Sequence, residues 1–187
     1  MPGSATRITA GVHRGRGLKT PPGRSTRPTT SMVREALFNI IGDSIRGVRV
    51  LDLFAGAGTL GVEALSRGAA FASFVDRDRG CANIVAENLA ATGFAQQGDV
   101  ACADARDWLR AHLDDLSAYN LILLDPPYQD AAAVAETIQT LDQAPLRAGA
   151  LVVLEHHRAQ PVPAVSQLTV VRQRDYGTTR LTFFRYP

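Results

Sequence analysis

Gly56-Ala57-Gly58-Thr59-Leu60-Gly61 is a G-x-G-x-x-G run, and Asp76 stands 20 residues beyond Gly56. A glycine loop of this kind lets the backbone approach a ligand closely at a helix start, and an acid at the end of the following strand can accept from ribose hydroxyls. Taken alone, the spacing meets the dinucleotide fingerprint of an NAD-dependent oxidoreductase. Two features argue against NAD. Asp52 and Phe54 put a negative charge and a large ring just before the glycines, where a pyrophosphate would want neither. The chain also offers no second domain and no hydride-transfer constellation. A cofactor with a cationic sulfonium, an ammonium group and a nucleoside suits the same residues, and S-adenosyl-L-methionine is that cofactor.

A second cluster is Asp125-Pro126-Pro127-Tyr128, directly after Tyr119 to Leu124, an almost purely apolar run. Prolines end strands, so the pair alone needs no functional explanation. The acid before them and the aromatic after them do. Cys81 and Cys102 have neither metal-ligand spacing nor the density of a disulfide framework. In Glu155-His156-His157 adjacent strand residues point to opposite faces, so the reading is polar residues near a cleft and no metal.

These residues need a scaffold, and the pattern supplies one. Strands are expected at 48–53, 71–76, 100–102, 119–124 and 150–155, alternating with helices at 59–67, 78–92, 105–113 and 131–141. The last two strand-like runs, 168–174 and 179–186, flank Tyr176-Gly177-Thr178 as an antiparallel hairpin. The expected fold is α/β and Rossmann-like: a doubly wound, mostly parallel seven-stranded sheet whose C-terminal edge is antiparallel. The glycine loop and the Asp125 cluster then share the carboxyl edge of the sheet, where open α/β folds bind ligands.

The 187 residues, 45% hydrophobic and 20% charged, suit a globular chain with an ordinary core, and no apolar run approaches a membrane span. With no signal-peptide block at the start, a cytoplasmic location is expected. The net charge of +2 hides a strong asymmetry. Residues 1–34 carry Arg7, Arg14, Arg16, Lys19, Arg24, Arg27 and Arg34 and no acid. Residues 35–157 carry seventeen acids against eight bases, and residues 158–187 five arginines against Asp175. Basic ends around an acidic middle are the footprint of a module that attracts a polyanion. Arg7 to Val12 alternates polar and apolar, and Leu18 to Thr20 can return before Pro21, giving a short basic hairpin. Thr29, Thr30 and Ser31 are candidates to cap a following helix bearing Val33, Leu37, Ile40 and Ile41. The expected organisation is thus a 1–30 RNA-docking extension that the core should survive losing, and a 31–187 domain.

Val50 to Gly58 resembles motif I of the class I methyltransferases, and Phe74-Val75-Asp76 their motif II. By that resemblance Asp104 and Ala105 hold adenine, although an Asp there is equally favoured as a helix cap. Asp125 to Tyr128 resembles motif IV of enzymes that methylate exocyclic amines. Such an amine is a poor nucleophile because its lone pair is delocalised into the ring. Acceptors from the Asp125 carboxylate and Pro126 carbonyl would hold its N–H groups and stabilise the charge building on nitrogen, and Tyr128 would stack on an extruded base. Methylation at cytosine C5 would need a thiolate after the fourth strand, where neither cysteine falls.

Arg7 to Gly11, Arg14-Gly15-Arg16, Leu18, Arg27 to Thr30, Val33 to Asn39, Leu51 to Gly61, Asp125 to Tyr128 and Leu154-Glu155-His156 closely resemble the RsmD-type 16S rRNA (guanine-N2) methyltransferases. Ser31 and His157 depart from the family, which often has acids there. The resemblance implies methyl transfer to N2 of a guanine. The implied partner is 16S rRNA or a small-subunit assembly particle, with no membrane, no metal and no second subunit. Adenine-N6 methylation of DNA or RNA is the alternative within the same chemistry.

Overall fold

The computed structural model describes residues 6–21, 28–127 and 130–187, with the backbone alone given for 28–30. Helix α1 (Pro28–Ile41) precedes an alternation of β1 (Arg49–Leu53), α2 (Thr59–Ser66), β2 (Phe71–Asp76), α3 (Arg79–Thr92), β3 (Gly98–Cys102), α4 (Ala105–Ala111), β4 (Leu121–Leu124), α5 (Ala131–Gln143) and β5 (Leu151–His157). Strands β6 (Thr169–Tyr176) and β7 (Thr179–Arg185) close the chain. The sheet order is β3-β2-β1-β4-β5-β7-β6, with β7 antiparallel to both β5 and β6 and the remaining pairs parallel. This is the expected fold class. Differences lie at helix ends. Helix α1 opens at Pro28 instead of after a Thr or Ser cap, because proline's fixed φ suits the first helical position. Helix α4 stops at Ala111, and the chain continues as a short 3-10 helix from Leu113 to Ala118.

Alternation along the strands divides the core in two. Val50, Phe74, Leu121, Leu123, Val153 and Phe183 face α1, α2 and α3, whereas Leu51, Leu53, Ile122, Leu124, Val152 and Leu154 face α4 and α5. Strand β4 is buried along its whole length, as its unbroken apolar run requires.

The basic arm forms a ladder with Arg7 opposite Gly17, closed by Ile8 N–H to the Arg16 carbonyl at 3.0 Å and Gly15 N–H to the Ile8 carbonyl at 2.8 Å. The return strand is thus Arg16 to Leu18, earlier than expected. Ile8 and Leu18 are buried in the same cluster as Val50 and Phe74. The arm is also fastened by side chains. The Glu63 carboxylate on α2 accepts from Thr9 N–H at 2.8 Å, Thr9 Oγ1 at 2.7 Å, Ala10 N–H at 3.0 Å and Arg67 Nε at 2.8 Å. The hairpin of the expected 1–30 extension thus supplies part of the core, through Ile8 and Leu18.

Candidate active site

The carboxyl ends of β1 and β4 lie side by side where the strand order reverses, with Asp52 near the end of β1, the Phe54 to Gly58 turn after it and Asp125 directly after β4. After β1 the chain turns through Phe54, whose φ of 64° is the left-handed value a non-glycine residue rarely adopts. Phe54 is half-buried against the α4–α5 core, which holds it in that conformation. Gly56 (φ 56°) and Gly58 (φ 74°) continue the turn, and Gly58 precedes the first residue of α2. Gly61 is required for a different reason. A Cβ there would meet Phe74 Cε1 at 2.2 Å, so only glycine lets α2 seat against β2.

The acids around the loop have distinct roles. Asp76 holds the loop itself, accepting from Gly56 N–H at 2.7 Å through Oδ2 and from Asp78 N–H at 2.9 Å through Oδ1. Asp52 is 1% exposed and accepts from Gly61 N–H at 2.9 Å through Oδ2, while its Oδ1 is buried with no hydrogen-bond partner. Burial pushes Asp52 up to about 8; the Gly61 bond opposes this, and the charges of Asp125 and Asp76 add to it. A buried carboxylate with one oxygen unsatisfied, beside two further acids, suits a cationic ligand. The residues present therefore fit a sulfonium-bearing cofactor. Asp104 caps α4 through Arg106 N–H at 3.0 Å and pairs with the Arg106 guanidinium, whose bonds hold it down at about 2. Ala105 is buried at the first turn of that helix.

Asp125 is exposed at the end of buried β4, and Pro126 is buried behind it. The Pro127 carbonyl accepts from Asp130 N–H at 3.1 Å, and Asp130 caps α5 through Ala133 N–H at 3.3 Å, so the turn is held on its far side. Tyr128 lies outside the described residues. On the next strand, Glu155 and His156 are buried and point to opposite faces; His156 Nε2 meets Thr182 Oγ1 at 2.9 Å, and burial lowers its pKa. Among the described residues no group of three or more His, Cys, Asp or Glu is placed to hold a metal ion, and no helix is long and apolar enough to cross a membrane.

The basic residues divide. Arg7, Arg14, Arg16 and Lys19 are exposed, with Lys19 paired to Glu87 at 2.7 Å; Arg24 and Arg27 lie outside the described residues. Arg34 is only 4% exposed, donates to the Arg7 carbonyl at 2.7 Å and lies 3.5 Å from Glu63. It holds the arm instead of presenting charge to a polyanion, which corrects its place in the expected RNA-binding set. Sequence reasoning missed Glu63, whose signal was an acid amid Leu60, Val62, Ala64 and Leu65. It also missed Asn88, which is 2% exposed and donates to the Ala57 carbonyl of the glycine loop at 2.9 Å. Asn88 accepts in turn from Lys19 N–H at 2.8 Å.

Sheet order, glycine loop and the acid-proline turn after β4 together define a class I methyltransferase fold. The solved structure of yhhF from Escherichia coli shares it with a TM-score of 0.85 at 30% identity, over 98% of each chain. An RNA methyltransferase from Salinibacter ruber, solved with S-adenosyl-L-homocysteine, shares the fold with a TM-score of 0.64 at 16% identity over 86% of this chain and 94% of its own. Residues 6–185 match the family described as Conserved hypothetical protein 95, and the chain belongs to that family, the RsmD-type rRNA methyltransferases. Ribosomal RNA small subunit methyltransferase D of Escherichia coli is 38% identical over 160 residues, covering 85% of this chain and 78% of the relative.

Proposed function

We propose that this protein transfers a methyl group from S-adenosyl-L-methionine to the N2 amine of a guanine in small-subunit rRNA. The observation that carries the reading is the placement of Asp125-Pro126 at the end of a fully buried strand, next to the glycine loop at the switch in strand order. The RsmD family membership and the name of its Escherichia coli relative support the rRNA substrate. A bacterial rRNA substrate implies a cytoplasmic site of action.

The cofactor supplies an electrophilic methyl group. Gly56, Gly58 and Asp76 would hold its nucleoside and Asp52 its cationic end, with Asp104 and Ala105 at the adenine. Phe54 closes the loop. Asp125 and the Pro126 carbonyl would accept the two amine protons, turning the nitrogen lone pair out of conjugation and toward the methyl. As positive charge grows on nitrogen, the carboxylate stabilises it, and the proton released afterwards passes to Asp125 or to water. Tyr128 would provide the stacking face. Asp125→Ala should keep cofactor affinity close to wild type and slow single-turnover methyl transfer on the order of 10²-fold or more. Near-normal transfer by this variant removes Asp125 from the chemistry.

A further inference from the structure

We infer that Glu155 is the residue that selects guanine over adenine, by accepting the N1–H of the target base beside the amine that Asp125 holds. The inference rests on the guanine-N2 reading and assigns one more residue to it. Strands β4 and β5 run parallel and in register from Leu121 opposite Leu151 to Leu124 opposite Leu154. The next residues along are Asp125 and Glu155, so the two acids leave neighbouring strands at the same level, about 4.8 Å apart in the sheet. They also share a face. Leu121 and Leu123 of β4 and Val153 of β5 lie in the cluster under α1 and α2, and the two-residue period carries Asp125 and Glu155 to that same side. Leu181, opposite Glu155 on β7, faces the same cluster. Glu155 is 8% exposed and lies within electrostatic reach of the buried Arg34 guanidinium, a cation that compensates a carboxylate in this position.

The chemistry of the two purines then differs at one atom. Guanine presents a donor, N1–H, next to its exocyclic amine; adenine presents a lone pair at N1 next to its own. With the amine at Asp125, guanine offers Glu155 a proton to accept, whereas adenine sets its N1 lone pair against the carboxylate. A site built to receive a hydrogen bond rejects a base that lacks it far more strongly than a merely apolar pocket would.

The test uses the full-length protein and small-subunit rRNA ligated to carry a single target residue, mapped first by the position of label on unmodified RNA. In 2-aminopurine the exocyclic amine is that of guanine, but N1 is an acceptor. The wild-type protein should methylate guanine at least about 100-fold more efficiently than 2-aminopurine. Glu155→Gln, whose amide can donate to N1, should lose activity on guanine and gain it on 2-aminopurine, narrowing that ratio by at least about tenfold. Equal use of both bases by the wild-type protein, which requires no variant to fold, overturns the inference. So does an unchanged ratio in Glu155→Gln. Absence of transfer to any guanine overturns instead the function on which it rests.

Discussion

Asp52 combines full burial with a proposed place at the cationic end of the cofactor. Its pKa in the folded protein, about 8, lies above the ordinary carboxylate value because burial disfavours the charge. The protonated form is therefore the one the fold favours. Its contribution to stability is complete below about pH 4 and is lost as the pH rises through about 8. Asp52→Asn should flatten this part of the pH dependence, and thermal melts between about pH 5 and pH 8.5 would read it. A sulfonium beside the unsatisfied Oδ1 favours the ionised form, so S-adenosyl-L-methionine should bind more tightly as the pH rises from about 6 to 8. S-adenosyl-L-homocysteine, which lacks that charge, should show a weaker dependence by calorimetry; identical dependences would place the sulfonium elsewhere. Asp52 was legible as an acid before a glycine loop, but its titration was not, because burial is a tertiary property. The same limit applied to Arg34. In a segment without acids every base reads as available to a polyanion, and only the fold reveals the partner Glu63 from another element.

At the scale of elements, α2 and α5 each carry one acid that organises a neighbouring segment. Glu63 on α2 joins the arm to the domain, with Arg34 and Arg67 beside it. Glu63→Gln should destabilise the protein by about 3–5 kcal/mol, because the buried Arg34 and half-buried Arg67 guanidinium groups would lose their counter-charge; denaturant titration measures it, and a loss below about 1 kcal/mol would show that the arm is not held by charge. Asp142 on α5 accepts from Ser166 N–H, Ser166 Oγ, Gln167 N–H and Leu168 N–H at 2.7–2.9 Å, fixing the chain as it enters β6. Burial alone would raise its pKa, but these four bonds prevail and hold it below the ordinary value. The stability it lends is present above about pH 4 and fades as the pH falls through its lowered pKa. Asp142→Ala should therefore cost about 3 kcal/mol near neutral pH, and less in acid. The alternation of elements was legible because strand and helix periods differ sharply, and so was the C-terminal hairpin. Ends that depend on a packed neighbour were not: α4 gives way to a 3-10 helix after Ala111, two residues short of the expected end.

At the scale of the whole molecule, the tip of the arm and the site occupy opposite ends of α2, while Lys19 at the arm's other end reaches the glycine loop through Asn88. Helix α2 starts at the glycine loop, whereas the hairpin tip packs on its last residue, with Val12 N–H donating to the Ser66 carbonyl at 2.9 Å. Eight helical residues span about 12 Å, so an RNA that reaches both Asp125 and the tip must run down that flank. Arg14→Ala with Arg16→Ala should make the slope of log K against log salt shallower by about 0.7 for each phosphate that is no longer neutralised, with single-turnover transfer at saturating RNA unchanged. An unchanged slope would exclude the tip from the interface. The dipolar charge pattern made a polyanion legible from composition, but not the geometry, since which face the arm packs on is decided by Ile8, Leu18 and Glu63 together.

The identity of the methylated atom decides the proposed function. Incubation of the protein with isotopically labelled S-adenosyl-L-methionine and unmethylated 16S rRNA, or the particle assembled on it, followed by digestion and mass spectrometry of the nucleosides, reads that atom directly. The expected product is N2-methylguanosine at a single position, formed on the order of 10²-fold more slowly with Asp125→Ala. Label in N6-methyladenosine, or in no nucleoside of either substrate, would rule out guanine-N2 methylation by this protein.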